Sequence, residues 1–273
     1  MTTTARATLT HVTSPDGTRI AVHVSGQGRP LVAVHGTTSD HLSWRLVLPL
    51  LEPHVAVHAV DRRGRGSSGD RPEYSIDLEY ADLAAVVDAA AAATGGPVDL
   101  IGHSYGGNVA FGAALLTSNI RRMVLYEGWP VPNAAHRTTP PEVMDRLETL
   151  LSRGLPEEML EILYRDVVKM SEEEIAALQA APTWPARVAA APTVPRELAA
   201  FARQAFDPRW AARISVPVLL LVGGASPDEV RADPDVVAAA LPDARIRVLE
   251  GQTHMAHLTA PETFADEVLG FLD

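Results

Sequence analysis

A serine sits at the apex of Gly102-His103-Ser104-Tyr105-Gly106-Gly107, and its surroundings favour nucleophilic chemistry. The apolar run Pro97-Val98-Asp99-Leu100-Ile101 precedes it and the alanine-rich residues 108–116 follow, a pattern of strand, tight turn and helix. The G-x-S-x-G spacing suits an apex residue with a strained backbone, because glycines two before and two after let strand and helix pass without clashing Cβ atoms. The hydroxyl then stands at a helix N-terminus, where free N–H groups favour developing negative charge. A serine that merely caps the helix fits the same five residues. The flanking sequence decides between the two.

Such a serine must be positioned by regular elements, and the chain supplies them in alternation. Residues 7–13 and 19–25 read as an opening β-hairpin around Ser14-Pro15-Asp16-Gly17. The short apolar run at 30–34 reads as a strand covered on both sides and 55–60 as another buried strand, and 97–101, 121–126, 216–223 and 244–249 read as further strands. Helical stretches fall at 40–51, 77–93, 108–116, 235–241 and 261–272. The expected fold class is therefore α/β: a mostly parallel eight-stranded sheet flanked by helices, with ligands at the carboxyl ends of its strands. Between residues 131 and 213 prolines cluster, strands vanish, and helices are expected at 141–153, 156–170, 171–181 and 195–206. The expected organisation is a core of residues 1–130 and 214–273 with a helical cap inserted at 131–213. The cap's apolar residues, Met144, Leu147, Met159, Leu163, Met170 and Trp184 among them, have the helical spacing of its own core.

The order of these signals resembles the α/β-hydrolase family over nearly the whole chain. Four places carry the resemblance: His35-Gly36 with Trp44 downstream, Asp61-Arg62-Arg63-Gly64-Arg65-Gly66-Ser67-Ser68, the Ser104 turn, and Gly251-Gln252-Thr253-His254 followed by Pro261-Glu262-Thr263-Phe264. The resemblance implies an apex nucleophile at Ser104, a general base at His254, and oxyanion donors in the backbone N–H groups of Thr37 and Tyr105. It leaves His35 shaping its loop and His257 as a structural histidine. The family's usual acid position holds Ser226 here, and a serine cannot stabilise an imidazolium as a carboxylate does. Two acids remain. Glu127, at the end of the strand after the nucleophile helix, is favoured over Asp228, two residues past the usual place. The implied activity is a cofactor-independent serine hydrolase that cleaves a carboxylic ester, thioester or lactone bearing an apolar group through an acyl-Ser104 intermediate. The vacancy at Ser226 motivates a second reading, a repurposed site for C–C hydrolysis, perhydrolysis or a lyase or cyclase step. A non-catalytic ligand-binding module ranks third, and a serine apex disfavours an epoxide hydrolase or dehalogenase, which need a carboxylate nucleophile.

Composition sets the outer bounds. The 273 residues carry a net charge of −11, which opposes nucleic acid and anionic membranes as partners and leaves a small-molecule substrate. With no cysteine there is neither a disulfide framework nor a thiolate metal site. No His/Asp/Glu grouping has metal-ligand spacing, and the arginine-rich turn at 61–68 lacks the spacing of a phosphate-binding loop. The first six residues lack the apolar core of a signal peptide and no later run is long enough to span a bilayer, so the expected location is cytoplasmic. Oligomeric state and substrate identity leave no mark in the sequence.

Overall fold

The computed structural model describes residues 7–133 and 138–273; residues 1–6, read above for a leader, lie outside them. Eight strands form one sheet: β1 (Thr8–Thr13), β2 (Arg19–Gly26), β3 (Arg29–Val34), β4 (Val55–Val60), β5 (Val98–His103), β6 (Ile120–Tyr126), β7 (Val218–Gly223) and β8 (Ala244–Leu249). Their spatial order is β1-β2-β4-β3-β5-β6-β7-β8, with β2 antiparallel to both neighbours and every pair from β4 to β8 parallel. The apolar runs of the central strands β3, β5 and β7 are nearly continuous because both of their faces are covered. Alternate residues turn to opposite sides: Val32, Leu100, Leu125 and Leu220 pack on one face, Leu31, Ile101, Val124 and Leu221 on the other.

Helices α1 (Leu48–Leu51), α2 (Ile76–Thr94) and α3 (Tyr105–Ala113) connect the first strands. Ser75 caps α2 by accepting from the Leu78 N–H, and Gly95 ends it at φ 73°. Residues 40–51 do not form the single helix expected. Asp40 caps a 3-10 turn at His41–Trp44, and α1 starts afresh with a proline in its first turn, where the missing N–H has no partner to lose.

Among the described residues six α-helices fall between β6 and β7: α4 (Pro141–Ser152), α5 (Pro156–Ile162), α6 (Glu172–Ala180), α7 (Trp184–Ala190), α8 (Val194–Arg203) and α9 (Pro208–Ala211). After α5 the chain widens into a π-helix over Leu163–Val168 instead of remaining α-helical to residue 170, and it leaves through Lys169 at φ 64°. Leu147, Met159, Leu160 and Trp184 form a core of the insertion's own, joined from the sheet side by Met255. Beyond β7, α10 (Asp228–Ala240) begins seven residues before the expected 235. Its buried Pro234 forfeits one backbone hydrogen bond without ending the helix, since tertiary packing outweighs that single loss. Helices α11 (Ala256–Thr259) and α12 (Pro261–Leu272) close the chain.

Charge ties the insertion to the sheet. Arg62 and Arg65, on the turn after β4, each place Nη2 2.6 Å from Glu197 Oε1 on α8. Arg62 also grips Glu79 of α2 through Nε and Nη2 at 2.7 Å, and the Tyr74 hydroxyl donates to the same carboxylate at 2.6 Å. All four charged side chains are at least 97% buried. Burial alone would lower the Arg62 pKa, but the carboxylates of Glu197 and Glu79 drive it well above its ordinary value.

Candidate active site

The strand order reverses around β3, which lies between β4 and β5, and the loops leaving β3 and β5 therefore meet at the carboxyl edge of the sheet. The meeting is close: a Cβ on Gly36 would lie 2.9 Å from the Ser104 Cβ. Ser104 joins β5 to α3 with φ 54° and ψ −128°, a conformation that costs a non-glycine residue on the order of 1–3 kcal/mol and persists only under constraint from its surroundings. The constraint is visible. The Ser104 N–H donates to the Tyr126 carbonyl at 2.9 Å, and a Cβ on Gly107 would lie 2.2 Å from the Gly128 carbonyl oxygen.

Glu127 follows β6, also with positive φ, at 42°. Its carboxylate is 2% exposed and fully engaged. Oε2 accepts from His254 Nδ1 at 2.7 Å, while Oε1 accepts from the Gly223 N–H at 2.7 Å and the Ser226 hydroxyl at 2.5 Å. Burial would raise the Glu127 pKa, but the hydrogen bonds from His254, Ser226 and Gly223 outweigh it and hold the pKa below the usual carboxylate range. Ser226, at the position where the resemblance places an acid, thus donates to the Glu127 carboxylate at another strand end. His254 sits on a loop fixed from below: the Tyr126 hydroxyl donates to the Thr253 carbonyl and accepts from the Ala256 N–H, and His103 Nε2 lies 2.9 Å from the His254 carbonyl oxygen. With Nδ1–H on Glu127, the Nε2 of His254 is left to act as acceptor.

The Asp228 side chain is 90% exposed at the start of α10 and pairs with Arg231, whereas the His254 Nδ1 contact is with Glu127. His257 is fully buried with Nε2 3.2 Å from the Ser43 hydroxyl, and burial holds its pKa well below the ordinary imidazole value. His35 is likewise buried. Its Nδ1 lies 2.8 Å from the Gly36 carbonyl and its Nε2 accepts from the Arg62 N–H at 3.2 Å, so the turn after β4 braces the loop after β3. Tyr105 opens α3, where no preceding carbonyl can take its N–H. Among the described residues neither the Thr37 nor the Tyr105 N–H has a hydrogen-bond acceptor. Thr38, at φ 60°, hydrogen-bonds to the Tyr164 hydroxyl at 2.8 Å and so links this loop to the insertion.

These groups open into one cavity of about 210 Å³, lined at its base by Thr37, Ser104, Tyr105, Glu127 and His254. The insertion contributes its apolar wall, including Leu163, Val167, Met170, Leu178 and Leu198. Among the polar residues on the wall that the sequence did not single out are Asn108 on α3, Arg187 on α7 and Asp233 on α10. Asn108 carries a weak signal, lying one helical turn past Ser104 on the same helix face. Arg187 carries none within its alanine-rich helix.

One grouping of ligand-type residues is not visible in the spacing along the chain. His23, His41 and Asp61, distant in sequence, bring ligand atoms within 4.8 Å of one another. Spacing along the chain conceals them because strand pairing creates the group. Both imidazoles face the Asp61 carboxylate, at 3.1 and 2.8 Å, and it also accepts from the His41 and Ser67 N–H groups at 2.9 Å. The grouping clamps the turn after β4.

A family model described as "Alpha/beta hydrolase family" matches residues 31–267. The chain belongs to the alpha/beta hydrolase family. A crystal structure of an alpha/beta hydrolase from Sphaerobacter thermophilus DSM 20745 is 35% identical, with TM-score 0.84 over 97% of this chain and 100% of that one. Among curated relatives, 2-hydroxymuconate semialdehyde hydrolase from Pseudomonas sp. strain CF600 is 35% identical over 116 residues, 40% of this chain and 40% of that protein. That match thus spans about two fifths of the relative's length. Pimeloyl-[acyl-carrier protein] methyl ester esterase from Vibrio atlanticus is 29% identical over 91% of this chain and 96% of its own. No helix among the described residues of this alpha/beta hydrolase is long and apolar enough to cross a membrane.

Proposed function

We propose that this chain is a cofactor-independent serine hydrolase in which Ser104 attacks a carboxylic ester, thioester or lactone and residues 131–213 act as a cap over the acyl group. The observation that carries the reading is the 2.7 Å contact of His254 Nδ1 with Glu127 Oε2, at the base of the cavity that Ser104 also lines. His254 Nε2 takes the Ser104 proton as the carbonyl is attacked, and Glu127 stabilises the imidazolium that forms. The N–H groups of Thr37 and Tyr105 stabilise the oxyanion, aided by the N-terminus of α3. The imidazolium then protonates the leaving alkoxide or thiolate. Water, activated by the same histidine, releases the acid and restores Ser104. The apolar wall suits a hydrophobic group on the substrate, as does the likeness to an enzyme named as a methyl ester esterase.

A second reading, C–C bond hydrolysis by the same residues, is supported by the relative named as a semialdehyde hydrolase. It no longer draws support from Ser226, whose hydroxyl strengthens the acid rather than replacing it. Ser104→Ala is expected to abolish both turnover of short p-nitrophenyl esters and labelling by a fluorophosphonate. Labelling that persists in that variant overturns the serine mechanism. Ester turnover too slow to saturate, beside fast cleavage of a vinylogous diketone, favours the second reading.

A further inference from the structure

Four arginines are buried in the described structure, and three of them answer to carboxylates: Arg62 to Glu79 and Glu197, Arg63 to Asp82, Arg65 to Glu197. The fourth, Arg187, differs. It is 4% exposed on α7 and lines the cavity with Ser104 and His254, yet no described carboxylate lies within ion-pair distance and its Nε is buried with no partner. A guanidinium removed from water without a counter-charge is among the costliest groups a fold can keep. The positive charge of Arg187 is felt at His103 and His257, beneath the His254 loop, and at Arg45, which is itself cationic. The Glu127 carboxylate on the same wall has both oxygens occupied by other donors. The rest of the insertion's contribution to this wall is largely apolar, so the charge stands out against hydrocarbon.

We propose that Arg187 is the subsite for a carboxylate carried by the substrate, so that the preferred substrates are half-esters of dicarboxylic acids, with an apolar chain between the anionic end at Arg187 and the scissile carbonyl at Ser104. This rests on the serine-hydrolase reading above and names its substrate class. A guanidinium binds a carboxylate through paired N–H donors, and such a pair gains strength where water is excluded. Asn108, 3% exposed with an unpartnered Oδ1, supplies a second polar point on the same wall. Together they set the substrate's orientation, as few polar groups in an apolar pocket do.

The test compares monoethyl esters of straight-chain dicarboxylic acids with neutral ethyl esters of equal chain length. For the wild-type protein kcat/KM is expected to favour the acidic ester by about 10- to 100-fold, most of it in KM. In Arg187→Gln the preference disappears, and in Arg187→Lys part of it returns. A free dicarboxylate is also expected to protect wild-type Ser104 from a fluorophosphonate, whereas a monocarboxylate of the same length does not. Because an unpaired buried charge weakens the free fold, Arg187→Met is expected to melt no lower than wild type. Equal use of acidic and neutral esters with Ser104 still labelled overturns the subsite alone, as does a large fall in Tm for Arg187→Met. Loss of labelling and of all ester turnover in wild type overturns the hydrolase reading first.

Discussion

Glu127→Gln is expected to lower kcat by about three to four orders of magnitude while leaving the fold intact. Glutamine preserves volume but carries no charge, so it can neither stabilise the imidazolium nor hold His254 in the tautomer with Nδ1–H. It also presents an N–H₂ group where the structure has only donors: His254 Nδ1, the Gly223 N–H and the Ser226 hydroxyl all point at this carboxylate. Asp228→Asn, by contrast, is expected to leave kcat within about twofold, since an exposed ion pair contributes little. Ser226→Ala falls between them, with about a tenfold loss, because it removes one donor from the acid and leaves the charge. Steady-state kinetics on one ester orders all three. Equal loss in Asp228→Asn and Glu127→Gln would contradict the assignment.

Glu197→Gln is the second substitution with a large expected effect. It leaves Arg65 with no carboxylate and Arg62 with Glu79 alone, both buried, at a cost of about 3 kcal/mol. Thermal unfolding is expected at a Tm lower by several degrees, whereas Arg209→Gln, which breaks the exposed pair with Asp207, leaves Tm unchanged. The consequence should reach catalysis. Arg62 lies 4.5 Å over the Tyr105 ring and donates to the Gly36 carbonyl at 3.3 Å, and Tyr74 joins Glu79 to the Tyr105 hydroxyl. Both backbone segments assigned to the oxyanion thus rest on this network, so kcat should fall together with stability. A variant that melts early but turns over normally would separate the network from the site.

Much of the fold was legible because a strand buried on both faces leaves an unmistakable apolar run. Residues 30–34 and 55–60 became β3 and β4 to within a residue. Helix ends were less so where prolines intervened: Pro49 restarts a helix that was expected to continue, and Pro234 sits inside one that was expected to begin after it. In the candidate site, Ser104, Glu127 and His254 could be nominated because each follows a strand at the same edge of the sheet. The choice between Glu127 and Asp228 could not, for it depends on contacts between β6, β7 and the loop after β8 that no local pattern encodes. Ser226 shows the limit most clearly. Read along the chain it is a missing acid; in space it is a hydrogen-bond donor to the acid. Arg187 was invisible for the same reason, since what marks it is the carboxylate it lacks.

The most direct measurement of the central claim is rapid quenching of the wild-type protein during turnover of a p-nitrophenyl ester, followed by peptide mass spectrometry. The acyl group should appear on the peptide containing Ser104, at a level that rises when Glu127→Gln slows deacylation more than acylation, and nowhere in Ser104→Ala. An acyl group on another residue, or turnover with no acylated peptide while p-nitrophenol is released in a burst, would contradict the mechanism.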